Sequence, residues 1–86
     1  MSYLGPVDPK YRYFLHDLGE VLKERALEAQ SDANKAPTDS PEHYYGKGRL
    51  MGFNEVISIM QQQAIGFDIP LADLQLDDLD PDRDLT

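Results

Sequence analysis

The sequence contains no cysteine and no tryptophan, and it has few basic residues. Without cysteine, neither a disulfide framework nor a thiolate zinc site can form. The N-terminal stretch MSYLGPVDP lacks the basic start and apolar run of a signal peptide. The densest apolar run is broken by Asn54, Glu55 and Ser58, far short of the roughly 20 apolar residues of a membrane span. We therefore expect a cytoplasmic protein that does not contact a membrane.

Acidic residues outnumber basic ones by sixteen to eight in this 86-residue chain, which gives a formal charge of −8. The excess is concentrated in residues 68–86, which carry seven aspartates and one arginine. Nucleic-acid affinity depends largely on Lys and Arg that release counterions from phosphates, so such a segment would be repelled. The charge distribution therefore predicts that nucleic acid is not a direct partner.

Two capping signals predict two long helices. Asp8 with Pro9, and Ser40 with Pro41, each place a side-chain acceptor before a proline that suits the first helical turn. Apolar residues recur at the helical period of 3.6 residues after each signal. The sequence thus predicts an all-α fold, a long antiparallel helical hairpin with helices at about 9–32 and 41–65.

The C-terminal part differs in composition. Gly66 is predicted as a left-handed stop for the second helix, with Phe67 packed on the last turn. Pro70 can begin a short third helix at about 70–75. The remaining residues, DDLDPDRDLT, predict a loosely held acidic C-terminal tail. We accordingly divide the chain into a hairpin domain, 1–76, and a tail, 77–86.

The stretch GKGRLMGFNEVISIM at residues 46–60 begins with two glycines around a lysine. A phosphate-binding loop needs the spacing G-x-x-x-x-G-K-[ST] after a strand, and this stretch has neither. Gly48 and Gly52 are four residues apart, so they share one side of a helix and would let another helix approach closely. Gly19 is the candidate for the facing position. The pattern favours helix packing over phosphate binding.

The second helix is apolar on more sides than one hairpin can cover. From Leu50 to Met60, seven of eleven residues are large and apolar, whereas a helix buried on one side needs about three or four in seven. The short third helix could cover part of the surplus. We favour a homodimer with a four-helix arrangement. The predicted helix-packing or dimer interface comprises Gly48, Gly52, Phe53, Val56, Ile57, Ile59 and Met60.

The acidic tail needs basic partners to be held in place. We predict that Leu79 packs on the hairpin while Asp82 or Asp84 reaches Lys47 or Arg49, either in the same chain or in a dimer mate. These ion pairs would be exposed and screened by salt.

Candidate sites for metals and catalysis are sparse. His16 and Glu20 are one helical turn apart and could share a metal ion, but two ligands do not make a site. The alternating aspartates of DLDPDRD lack the glycine and the glutamate that a calcium loop requires. The sequence therefore predicts no catalytic residue, no metal site and no cofactor.

The segments DLGEVLKERALEA, GRLMGFNEVISIMQQQA and DLDPDRDL resemble those of small bacterial helical-hairpin proteins of unknown function. This resemblance implies the same hairpin and no particular activity. We expect a non-catalytic protein-binding or oligomerising protein, of an immunity, inhibitor or adaptor type. One alternative is an acidic accessory protein that competes with nucleic acid for a basic partner. Another is a metal-binding protein or enzyme that uses His16 and Glu20.

Overall fold

The computed structural model describes residues 9–86 and contains two long antiparallel helices followed by two short ones. Helix α1 spans Pro9–Lys35 and helix α2 spans Pro41–Gly66. A short 3-10 helix follows at Leu71–Leu74, and helix α3 lies at Pro81–Asp84. The predicted all-α hairpin with a short third helix is confirmed, with α1 ending a few residues later than expected.

The start of α2 follows the predicted capping signal. The Ser40 hydroxyl accepts a hydrogen bond from the His43 backbone N–H at 3.1 Å, and Pro41 occupies the first turn. Helix α1 begins at Pro9, as the proline signal indicates. Its predicted cap, Asp8, lies outside the described residues. Among residues 9–86, no helix is long and apolar enough to cross a membrane.

The two long helices approach closely at Gly46, near the loop that joins them. A Cβ atom added to Gly46 would lie 2.9 Å from both the Cα and the Cβ of Ala33 on α1. The predicted intrachain contact of Gly48 and Gly52 with Gly19 is wrong, because an added Cβ at Gly48 or Gly52 would have no atom within 4 Å. Each residue turns the helix by about 100°, so Gly48 points away from the side on which Gly46 meets α1.

Gly19 faces the 3-10 helix instead of α2. A Cβ atom at this position would lie 1.8 Å from the carbonyl oxygen of Leu74 and 2.8 Å from its carbonyl carbon. Both are backbone atoms, which cannot move aside as a flexible side chain could. Glycine inside a helix costs up to about 1 kcal/mol relative to alanine, and this close backbone approach explains why it is present.

The hydrophobic core lies between the hairpin and residues 67–86, which we call the C-terminal segment. Leu85 near the C-terminus is only 1% exposed. Leu79 is half-buried against the same core, in the role expected for it. The expected loosely held tail is therefore not observed, because residues 77–86 contribute to the same core as the hairpin. The buried members of the cluster are Ala26, Leu50, Ile57, Ala64, Leu74, Leu76 and Leu85.

Helix α2 ends in a Schellman motif centred on Asp68. The Ile69 N–H donates to the Ala64 carbonyl at 2.8 Å, and the Asp68 N–H donates to the Ile65 carbonyl at 3.1 Å. Asp68 has a φ of 57°, in the left-handed region. The prediction of Gly66 as the left-handed residue is wrong, since Gly66 is still the last residue of α2.

The position of the Phe67 side chain also differs from the expectation. Phe67 was predicted to pack on the last turn of α2, but it is 73% exposed. Ile69 takes that place and packs, half-buried, against the core. The Schellman motif turns the chain at Asp68, so the residue that follows Asp68 is the one directed back to the helix.

Two substitutions at this helix end should change the free energy of unfolding in opposite directions. Gly66→Ala should raise the free energy of unfolding by about 0.5–1 kcal/mol, because Gly66 is helical and has open space around its Cα. Asp68→Val should lower it by about 1–2 kcal/mol, because a β-branched residue is disfavoured at positive φ. Urea denaturation measures both values. A destabilised Gly66→Ala variant would place the left-handed residue at 66 after all.

Candidate interaction surface

Side chains of α1 hold the C-terminal segment through its backbone carbonyls. Lys23 Nζ donates to the carbonyl oxygen of Gln75 at 2.8 Å. Gln30 Nε2 donates to the carbonyl oxygen of Asp84 at 2.7 Å. Lys23 and Gln30 are seven residues apart, two helical turns, so they lie on one line of α1. That line marks the side of α1 covered by the C-terminal segment.

Helix α2 uses the same arrangement. Asn54 Nδ2 donates to the Pro81 carbonyl at 2.9 Å, and Gln61 Nε2 donates to the carbonyls of Leu79 at 2.7 Å and Leu76 at 3.1 Å. Asn54 and Gln61 are again seven residues apart. Sequence analysis did not predict that the amide side chains and Lys23 bind the backbone of the C-terminal segment. Their seven-residue spacing on each helix was a usable signal. We call the side of the hairpin that these residues define the covered face.

The opposite side of the hairpin, which we call the open face, is located by an ion pair between the two helices. Arg49 Nη1 lies 4.0 Å from Asp32 Oδ2. On α1, Asp32 is two residues after Gln30 and therefore points about 200° away from the covered face. On α2, Arg49 is five residues before Asn54 and points about 140° away from that face. Asp32 and Arg49 therefore meet on the far side from the C-terminal segment.

Apolar side chains follow the lines of Asp32 and Arg49 along both helices. Phe14 and Val21 lie on the α1 line at multiples of about 3.6 residues from Asp32, and they are 62% and 47% exposed. Val56 is seven residues after Arg49 and is 43% exposed. Half-buried neighbours complete the surface: Leu18, Phe53 and Met60. The open face is thus an apolar surface that no described residue covers.

The seven residues predicted for the helix-packing or dimer interface separate into three groups. Ile57 is fully buried in the core, so it packs the hairpin and is not accessible to a second chain. Two residues are half-buried beside the core, Phe53 and Met60. The other four are exposed and are covered by none of residues 9–86: Gly48, Gly52, Val56 and Ile59. The structure therefore brings part of the predicted set to the open face and its edge.

Charges on the open face balance in pairs. Arg25 lies 3.8 Å from Glu28, and Arg49 lies 4.0 Å from Asp32. The excess acidity of the molecule lies elsewhere, in the C-terminal segment with its seven aspartates. Glu42, seven residues before Arg49, adds a negative charge at the loop end of the open face, and most of the acidic surface lies on the other side of the hairpin.

The predicted ion pairs between the tail and Lys47 or Arg49 are not formed within the chain. Asp84 accepts hydrogen bonds from Arg83 Nε at 2.7 Å and from the Asp80 backbone N–H at 2.9 Å. These two interactions lower the pKa of Asp84 to about 2. Asp82 is exposed beside them. Arg49 could not reach either aspartate, because it lies on the open face and the tail lies on the covered face.

Two titratable groups outside the Arg83–Asp84 pair have shifted pKa values. A hydrogen bond from Lys23, at 3.0 Å, lowers the pKa of Asp78. A hydrogen bond to Asp39, at 2.6 Å, raises the pKa of the Tyr44 phenol. Perturbed groups in catalytic sites are usually desolvated within a cleft. Here each shift comes from a neighbouring side chain at the surface, and within residues 9–86 no polar or charged side chain is buried.

The two residues considered as metal ligands lie together, joined by Asp17. The ligand atoms of His16, Asp17 and Glu20 are all within 4.8 Å of one another. Asp17 and Glu20 are exposed, and His16 Nε2 forms a hydrogen bond with the Gln75 carboxamide at 2.5 Å. This bond leaves one ring nitrogen, so the cluster offers three ligands on a solvated helix surface. The prediction of no metal site, and the alternative of a metal-binding protein that uses His16 and Glu20, are both left untested by this geometry.

The chain was also compared with known proteins. No protein-family model, no curated protein and no solved structure matches it. The resemblance to small bacterial hairpin proteins therefore stays a prediction. The function has to be inferred from the surface of the hairpin itself.

Proposed function

We propose that this protein is a non-catalytic protein-interaction module that forms a homodimer through its open face. The observation that carries the proposal is the uncovered apolar surface formed by Phe14, Val21 and Val56 on two adjacent helices. Contiguous apolar patches of this kind are typical of protein interfaces. The C-terminal segment already covers the other side of the hairpin, so the open face is the side left for a second chain.

The dimensions of the open face suit a stable dimer. Helices α1 and α2 have 27 and 26 residues, so each is about 40 Å long at 1.5 Å per residue. Two adjacent helices are about 20 Å wide, which gives a face of roughly 800 Å². A standard-size interface buries about 800 Å² on each partner. Two hairpins stacked on this face would form a four-helix arrangement.

The charge distribution also favours a second copy as the partner. A protein with a charge of −8 resists association wherever its acidic surfaces meet. In a dimer built on the open face, the two C-terminal segments lie on the outer sides, separated by four helices. The facing surfaces carry Arg25 with Glu28 and Arg49 with Asp32, so both signs of charge are present on each face, and the acidic excess is limited to the loop end, where Glu42 joins Asp32.

The outer sides of this dimer would each present exposed aspartates that the C-terminal segment holds in place. Such a surface suits an adaptor or inhibitor that binds a basic protein. Competition with nucleic acid for that partner, and metal chemistry at His16 and Glu20, stay alternatives to this proposal.

Light scattering coupled to size exclusion tests the dimer. At micromolar concentration we expect about twice the chain mass of 9.8 kDa. Val56→Lys should reduce the mass to that of one chain, because it places a charge in the middle of the open face while leaving the core intact. Met51→Lys is the matched control, since Met51 is 72% exposed and lies about 140° around α2 from Val56.

The helix content of both variants, measured by circular dichroism, should equal that of the wild type. A wild-type mass of one chain would refute the dimer. A Val56→Lys variant that remains dimeric would show that the open face is not the interface.

A further inference from the structure

A shallow cavity, open to solvent, lies at the end of the open face nearest the loop. It has a volume of about 430 Å³ and is lined by Asp32, Pro41, Glu42, Tyr45, Gly46 and Arg49. Cavities of roughly 300–1,000 Å³ hold small organic groups. The Arg49 guanidinium lies 5.8 Å from the Phe53 ring and pairs with Asp32, so it is held at the cavity and still offers a planar surface. An aromatic ring would find both a cation and the Tyr45 ring there.

An exposed aromatic ring lies at the opposite end of the same helix. Phe67 is 73% exposed, although its backbone N–H is fixed by hydrogen bonds to the carbonyls of Gln63 and Ala64. The backbone of Phe67 therefore has a defined place, while its side chain is covered by none of residues 9–86. Exposed aromatic residues of this kind are frequent anchors of interfaces.

Phe67 and Arg49 are placed so that a two-fold axis midway between them would bring each one against the other in a second copy. They are 18 residues apart, which is five turns at 3.6 residues per turn, so both lie on one line of α2 about 27 Å apart. A two-fold axis that crosses the open face at the level of Ser58 would set Arg49 of each copy against Phe67 of the other. The same axis pairs Val56 with Met60, since these residues lie two positions on either side of Ser58.

We propose that the homodimer is antiparallel and that the cavity of each copy receives the Phe67 ring of the other. This inference rests on the proposed function and specifies its geometry. The parallel arrangement, with both loops at one end, would bring the two cavities together, with Asp32 and Glu42 of one copy near those of the other. The antiparallel arrangement avoids this contact between like charges and places the Phe67 ring against the Arg49 guanidinium and the Tyr45 ring.

Sedimentation equilibrium of Phe67→Ala tests the inserted ring. The dimer dissociation constant should rise by about tenfold or more, as expected for an aromatic anchor in a cavity. Ile65→Ala is the control, because Ile65 is also exposed but lies about 200° around α2 from Phe67. Its dissociation constant should stay within about twofold of the wild type. Neither side chain contributes to the core, so the helix content of both variants, measured by circular dichroism, should equal that of the wild type.

A spin label on Thr38→Cys tests the orientation in the otherwise cysteine-free chain. Thr38 is exposed in the loop, so an antiparallel dimer places the two labels at opposite ends, about 50 Å apart. A parallel dimer places them within about 20 Å, the width of two helices. A dimer with the short distance, or one that Phe67→Ala does not weaken, overturns this inference and leaves the homodimer intact. A monomeric wild type overturns both.

Discussion

Replacing Gly19 with alanine should destabilise the protein by about 2–3 kcal/mol, the upper part of the range for overpacked cores. The added Cβ would lie 1.8 Å from the Leu74 carbonyl oxygen, so the 3-10 helix would have to move away from α1. That movement disturbs the buried Leu74 and Leu76 and the hydrogen bond from Lys23 to the Gln75 carbonyl. Alanine's better helix propensity, worth about 1 kcal/mol, is too small to compensate.

Two other glycines of the hairpin are matched controls for this substitution. Gly48→Ala should stabilise by about 0.5–1 kcal/mol, because an added Cβ there meets nothing within 4 Å. Gly46→Ala should fall between the two, since its contacts with Ala33 are 2.9 Å. Melting temperatures should therefore rise in the order Gly19→Ala, Gly46→Ala, Gly48→Ala. A Gly19→Ala variant that melts at or above the wild type would contradict the close backbone approach.

Deleting residues 80–86 should cost about 3–5 kcal/mol, comparable to the loss of a large core side chain. The deletion removes Leu85, which is 1% exposed, and the buried Pro81. It also removes the carbonyl groups that accept hydrogen bonds from Gln30 and Asn54. Because a small domain is stable by only about 5–15 kcal/mol, the midpoint of urea denaturation should fall by a large fraction.

The salt dependence of this loss separates two physical causes. Sequence analysis expected a tail held by exposed ion pairs, whose deletion costs little at high salt. The structure indicates apolar burial, so the loss should be nearly the same in low and high sodium chloride. Leu85→Ala should reproduce most of it, and Asp82→Asn, at an exposed position, should change little. A loss that disappears at high salt would restore the electrostatic account.

The long helices could be predicted because their signals are local. Ser40 caps α2 through a hydrogen bond to a residue three positions away, and Pro9 suits a first turn whatever lies nearby. The apolar period needs only the geometry of one helix. Because α2 has more apolar residues than one hairpin can cover, some of its apolar side chains were expected to stay exposed. Val56 and Ile59 are exposed.

The end of α2 shows where local signals fail. A glycine after an apolar helix usually marks the left-handed stop, but here Asp68 adopts that conformation two residues later. Aspartate tolerates positive φ better than most residues, so either position was locally acceptable. The choice directs Ile69 into the core and leaves Phe67 exposed, which depends on how the C-terminal segment packs.

By itself, the sequence determined the two long helices, the Ser40 cap of α2, the short third helix and the concentration of negative charge in the C-terminal segment. The tertiary structure decided which face of the hairpin that segment covers, and hence that Gly19 meets Leu74 and that Arg49 lies far from the tail. The physical reason is distance along the chain. Contacts such as Gln30 with Asp84 join residues 54 positions apart, and their energy depends on packing that no local pattern encodes.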